Sequence, residues 1–167
     1  MYFGELLEQA SRQIGKGAFL TTGERPNVMT IGWAQWGVIW GLPICCVLVR
    51  QSRFTHGLIE GSGAFTVSLP AEGTFADELL HCGRVSGRNE DKIKSQKLSL
   101  RKPQAGGIAG IDGCALYFEC KTVFKTESDL KFLDPGLKER FYNTNQATPD
   151  GDPHTLYFGE ILFATRA

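Results

Sequence analysis

The sequence predicts a mostly β protein, a closed barrel carrying a few peripheral helices. Runs rich in β-branched and aromatic residues recur at residues 28–36, 38–50, 114–126 and 156–164. Ala64–Leu69 alternates Phe65, Val67 and Leu69 against Thr66 and Ser68, the period of a half-buried strand. Glycine, proline and asparagine punctuate these runs, and the helical patterns between them are short. Many strands with few helices fit a barrel better than a helical or alternating α/β chain. At 167 residues the chain is long enough for one domain with a single sizeable core, residues 1–167.

The elements follow in order. Phe3, Leu6, Leu7, Ala10 and Ile14 have the spacing of an amphipathic helix, stopped by Gly15 and Gly17. Ala18–Thr22 reads as a strand and residues 24–27 as its turn. Trp33, Trp36 and Trp40 have helical spacing, but Gly32, Gly37, Gly41 and Pro43 lie among and after them. A helix there is heavily penalised, so residues 28–36 and 38–50 are read as two strands. A short helix over residues 55–59 opens at a polar loop, and a second covers residues 74–82, with Gly83 as its C-terminal cap. Ser86 is placed to cap a further helix, with Glu90 and Asp91 complementing its dipole. Residues 104–113 form a glycine-rich connection, and residues 143–153 a polar loop expected to be mobile.

Composition excludes several classes. Eighteen Lys+Arg balance eighteen Asp+Glu, without the basic excess of a nucleic-acid surface. The longest apolar run, residues 38–49, contains Gly41 and Pro43 and falls short of the ~20 residues of a membrane helix. The N-terminus carries Glu5 and Glu8 and no signal-peptide pattern, so a cytoplasmic protein is expected. Five cysteines, with no C-x-x-C, read as small buried hydrophobes; Cys82 stands apart because nearby cations would lower its pKa. No dinucleotide fingerprint, P-loop, zincin or nucleophile-elbow motif occurs, and His56, His81 and His154 lack zinc spacing with the cysteines.

Two loops stand out. Arg50, Ser52, Arg53 and Thr55 join a strand to a helix start, where unpaired backbone N–H groups already attract anions. Two guanidiniums and two hydroxyls suit a phosphate ester, and the neighbouring tryptophans suit its aromatic ring. The plainer reading makes Ser52 or Thr55 a helix cap, with solvated arginines or a pair to Glu60. In the second loop Ser86, Gly87 and Lys92 provide a hydroxyl, a close backbone approach and a point charge. Its plainer reading is a capped helix with an Asp91/Lys92 surface pair.

Residues 27–33 (NVMTIGW), 49–55 (VRQSRFT), 82–92 (CGRVSGRNEDK) and 154–161 (HTLYFGEI) resemble, in order, the motifs of the flavin reductase-like family, in its flavoredoxin-type branch. The resemblance covers most of the chain. It implies an FMN-binding split β-barrel, paired as a homodimer, that passes electrons from NAD(P)H through FMN to an acceptor. Any nicotinamide would bind transiently over the flavin. The implied cofactor residues are Asn27, Met29, Thr30, Trp36, Arg50, Ser52, Arg53, Thr55, Ser86, Gly87, Lys92, His154 and Phe158. Trp36 is the ring-wall candidate, Trp33 and Trp40 are assigned to the barrel core, Glu160 is a barrel-mouth acceptor, and His154 is the candidate catalytic group. Gln51 stands where the family usually has proline, which frees a φ and adds a donor. Two rival roles share these features: a carrier reduced by a protein partner, and a module that holds FMN for storage or sensing.

Overall fold

The computed structural model describes residues 3–105 and 107–167. Helix α1 (Gly4–Gln13) and a 3-10 turn (Ile14–Lys16) lead into β1 (Ala18–Thr22), β2 (Asn27–Ile31), β3 (Ala34–Ile39) and β4 (Leu42–Arg50). Helix α2 (Phe54–Ser62), β5 (Ala64–Leu69), α3 (Ala76–Arg84) and α4 (Lys92–Ser95) follow. Then come the short pair β6 (Leu100–Arg101) and β7 (Gly110–Ile111), the long β8 (Leu116–Glu127), α5 (Pro135–Phe141) and β9 (His154–Arg166).

Seven antiparallel strands form one sheet in the order β2-β1-β5-β8-β9-β4-β3. The sheet curls into a barrel. Met29 and Ile31 on its first strand share one interior cluster with Cys45, Val47 and Val49 near its other end. Phe65, Phe118 and Tyr157 fill the middle of that cluster. Each such side chain contributes about 1.5–3 kcal/mol by leaving water. Register shifts between β8 and β9, at Glu119/Cys120 and at Thr122/Phe124, bend the two longest strands as closure requires. Leu6 and Leu7 of α1 pack against this core. A second layer, with Phe19, Val28, Cys82 and Tyr117 buried and Leu79 and Ile93 against them, seats α3 and α4 on the outer face of β1 and β2. Among the described residues no helix is long and apolar enough to cross a membrane.

Several sequence expectations change. The two strands read over residues 28–50 are three, broken at Gly32-Trp33 and again at a hairpin. Trp40 and Gly41 both have positive φ (54° and 72°), the backbone of a two-residue hairpin turn joining paired Ile39 and Leu42. Trp40 is therefore an exposed hairpin tip and not barrel core. Gly83 does not cap α3 but lies inside it. A Cβ there would stand 3.4 Å from Thr30 Cβ, an ordinary contact where α3 lies on β2. Ser86 caps no helix: Asp91 caps α4, accepting from the Lys94 N–H. The connection over residues 104–113 carries β7, and its Gly106 lies outside the described residues. Helix α5 had no counterpart in the sequence reading, although Asp134 accepts from the Gly136 and Leu137 N–H groups and Pro135 occupies the first turn.

Candidate functional site

Where β4 ends, two adjoining cavities open outside the barrel. The first, about 170 Å³, is lined by Met29, Thr30, Ile31, Gly32, Trp33, Leu48, Arg50, Arg53 and His154. The second, about 220 Å³, shares Met29, Arg50 and Arg53 and runs on past Ser52, Thr55, Ser86, Gly87 and Lys92. Strand pairing explains the meeting: β4 and β9 set Arg50 opposite His154, and β2 brings in Met29 and Thr30.

The first cavity is mixed: Met29, Ile31, Trp33 and Leu48 give it an apolar side, and Thr30, Arg50, Arg53 and His154 a polar one. Trp33 meets His154 at 5.1 Å between ring centroids and Phe141 at 5.1 Å, edge-on. His154 is buried, and its Nδ1 is 2.7 Å from the Tyr142 hydroxyl. Burial first, then the positive charge of Arg50, lowers the His154 pKa to about 4, so the imidazole is neutral at pH 7.

The second cavity is cationic. Arg50, Arg53, Arg84, Arg88 and Lys92 face it against one carboxylate, Asp152. The N-terminus of the nine-residue α2 opens there as well, with Arg53 at the cap position and no side-chain cap. Neither Ser52 nor Thr55 caps that helix, so its first N–H groups are left for an anion. Thr55 is buried and accepts a 3.0 Å bond from Asn27 Nδ2. A Cβ on Gly87 would fall 2.0 Å from Asn27 Oδ1 and 2.8 Å from Phe54 Cδ1. Only glycine lets this loop lie against that pair.

Several cations already hold the walls. Arg50 donates to the carbonyls of Phe141 (2.7 Å), Asp152 (2.9 Å) and Gly151 (3.3 Å), and its guanidinium lies 5.0 Å above the Tyr142 ring. Lys92 is buried and donates to the carbonyls of Val85 (2.9 Å) and Cys82 (3.2 Å). Burial holds its pKa below the usual lysine value. Arg53 spends one donor on the Gly83 carbonyl, at 3.1 Å, and Arg88 reaches the Ser52 carbonyl at 3.2 Å. Ser52 donates through its N–H (3.0 Å) and its hydroxyl (2.6 Å) to Asp152. Thr30 donates to the Leu79 carbonyl at 2.6 Å, and Ser86 Oγ accepts from the Arg88 N–H at 3.2 Å.

Eleven of the thirteen residues picked out in the sequence gather around these two cavities, Asn27 as a supporting side chain. Two do not. Trp36 packs into the barrel interior 5.5 Å from Phe118, its indole N–H buried without a partner. Phe158 lies on the outer face against Phe124 (5.5 Å) and Trp40 (6.2 Å). Trp33, assigned to the core, instead walls the first cavity. Arg84, Arg88, Tyr142 and Asp152 were not picked out, though both arginines flank Ser86 in the sequence. Cys82 is no thiolate: burial pushes its pKa up to about 11 against the opposing pull of Lys92. All five cysteines are buried and free.

Over residues 12–164 the sequence matches the flavin reductase like domain. The chain belongs to the flavin reductase-like family. This membership ties it to flavin-linked redox proteins. An uncharacterized protein of Archaeoglobus fulgidus is 30% identical over 142 residues, 85% of this chain. The chain spans 66% of that relative's length. Among solved structures, a flavoredoxin of Desulfovibrio vulgaris superposes with a TM-score of 0.68 at 23% identity, covering 90% of this chain and 69% of its own. A flavoredoxin of Methanosarcina acetivorans gives 0.67 at 24% identity, with 90% and 68% covered. The NADH:FAD oxidoreductase of Streptomyces globisporus gives 0.67 at 19% identity, with 96% and 83% covered. These likenesses show the split-barrel fold, which this flavin reductase-like chain shares.

The donor set fits a flavin phosphate. Open helix N–H groups, Arg53 and Arg88 suit a dianion, and the apolar side of the first cavity, with Met29, Leu48 and Trp33, suits the attached ring.

Proposed function

We propose that the chain binds FMN and passes electrons from NAD(P)H to an acceptor. The carrying observation is the continuity of the two cavities: a cationic cleft with an open helix N-terminus runs directly into a cavity whose walls include Met29, Leu48, Trp33 and His154. In this reading Arg53, Arg88 and the first turn of α2 hold the phosphate. Met29, Leu48 and Trp33 exclude water from the ring. Bound flavin supplies the hydride and electron chemistry; the chain supplies binding, orientation and electrostatics. The cluster of positive charge favours the anionic end of the ligand and would stabilise negative charge on the ring at close range.

A second copy of the chain completes the reading. Trp40 (61% exposed) and Phe124 (47%) stand on the outer sheet face against each other and Phe158. An aromatic patch of this kind on a monomer calls for a partner, and the family resemblance implies a homodimer. Five free buried cysteines suit a reducing compartment such as the cytoplasm.

The purified protein should be yellow or take up added FMN stoichiometrically, and anaerobic NADH or NADPH should bleach it. Uptake without bleaching by either would leave binding and remove the nicotinamide step. No uptake would remove the flavin reading.

A further inference from the structure

The contact between Tyr142 and His154 carries an inference beyond binding. Arg50 and Arg53 face His154 from β4 and the start of α2, and among the described residues Asp152 is the one carboxylate near it. Two guanidiniums beside a buried ring disfavour imidazolium, so His154 has one ring proton to place. The Tyr142 side chain is nearly buried, and among the described residues its hydroxyl meets no polar group other than His154 Nδ1, at 2.7 Å. If that hydroxyl accepted from Nδ1–H, its own proton would be left without a partner, at a cost of about 1–3 kcal/mol. The arrangement that satisfies both groups has the tyrosine donating to a bare Nδ1 and the proton on Nε2.

We propose that Tyr142 is a positioning residue that locks His154 as the Nε2–H tautomer and presents a neutral N–H donor to the first cavity. Its own placement is built in. Arg50 ties down the carbonyls of Phe141, Gly151 and Asp152, which flank Tyr142 and His154 in the chain, and covers the Tyr142 ring. Strand pairing puts Arg50 opposite His154. The fixed donor fits a carbonyl or ring-nitrogen acceptor on an aromatic ligand, not a group awaiting a base. The acceptor's identity as a flavin or nicotinamide atom rests on the proposed function; the tautomer does not.

Long-range proton–nitrogen correlation spectra of histidine-labelled, flavin-free protein test this directly, with His154→Gln to assign the signals. The wild type should show Nδ1 unprotonated and Nε2 protonated for His154. Tyr142→Phe should show both tautomers and titrate at higher pH, because the bond that favoured the neutral ring is gone. With flavin bound, the same variant should keep its dissociation constant within about twofold and lose about tenfold or more in kcat for nicotinamide oxidation. A protonated Nδ1 in the wild type would overturn the proposal even if Tyr142→Phe failed to fold. So would an unchanged tautomer in the variant. Both outcomes are read without flavin, so they stand apart from failure of the flavin assignment.

Discussion

The carboxylate of Asp152 accepts from both the backbone N–H and the hydroxyl of Ser52, at 3.0 and 2.6 Å, inside a cleft whose other charged side chains are cations. Asp152 has a left-handed backbone (φ 50°), uncommon for a residue with a side chain. Together they tie the loop over residues 142–153 to the start of α2. The same two Ser52 donors are what a phosphate in this cleft would use.

Asp152 should therefore compete with the ligand's phosphate. Asp152→Asn keeps the shape and removes the charge. FMN should bind up to about tenfold tighter in the variant, the scale of one partly exposed charge-assisted bond. Riboflavin, without a phosphate, should change little. Fluorescence titration of both flavins checks this; equal changes for the two would mean that the loop shapes the pocket and does not occupy the anion site.

Lys92 and Arg53 should separate stability from affinity. Lys92 is buried between two carbonyls, whereas Arg53 commits one donor and lines both cavities. Lys92→Met leaves both carbonyls unpaired, at about 1–3 kcal/mol. For a chain of this size that lowers Tm by about 2–4 °C per kcal/mol. Arg53→Ala should leave Tm nearly unchanged and weaken FMN about ten- to a hundredfold, the loss of a bond to a charged group. Thermal melts beside the same titrations decide; a stable Lys92→Met with weak FMN binding would reverse the two roles.

Stability should depend on acid through His154. Its pKa falls from an ordinary 6.5 to about 4 in the folded chain. The folded state therefore favours the neutral ring. That contribution, about 3 kcal/mol, is fully present above pH 6.5 and is lost as pH drops from 6.5 to 4. Urea unfolding across that range should show a decline that His154→Gln flattens. An equal decline in the variant would assign the acid sensitivity to other groups.

Much of this was legible in the sequence because it depended on local pattern. Ala18–Thr22 and Ala64–Leu69 are strands with the bounds that alternation and turn residues indicate. The cationic loops were visible because charge and hydroxyls clustered beside a helix start. What escaped depended on contacts far apart in sequence. Arg50 is spent on carbonyls about a hundred residues away. Lys92 folds back onto the end of α3, and Gly87 answers to Asn27. The tryptophans were misassigned for a local reason. Gly41 argues against a helix, but it is also half of a hairpin turn that exposes Trp40; the break at Gly32-Trp33 likewise turns Trp33 outward and leaves Trp36 in the core. Helix α5 has a clear start in Asp134-Pro135 but buries none of its residues, so no core-facing stripe marks it.

We propose that this cleft holds a flavin by its phosphate. The most direct measurement is the affinity of the flavin-free protein for FMN and for riboflavin at low and high salt. FMN should bind at least about tenfold tighter at low salt, as one or more charge-assisted bonds require. The preference should shrink as ionic strength rises and screens the cationic cleft. Equal affinity for the two flavins, or a preference indifferent to salt, would contradict the account.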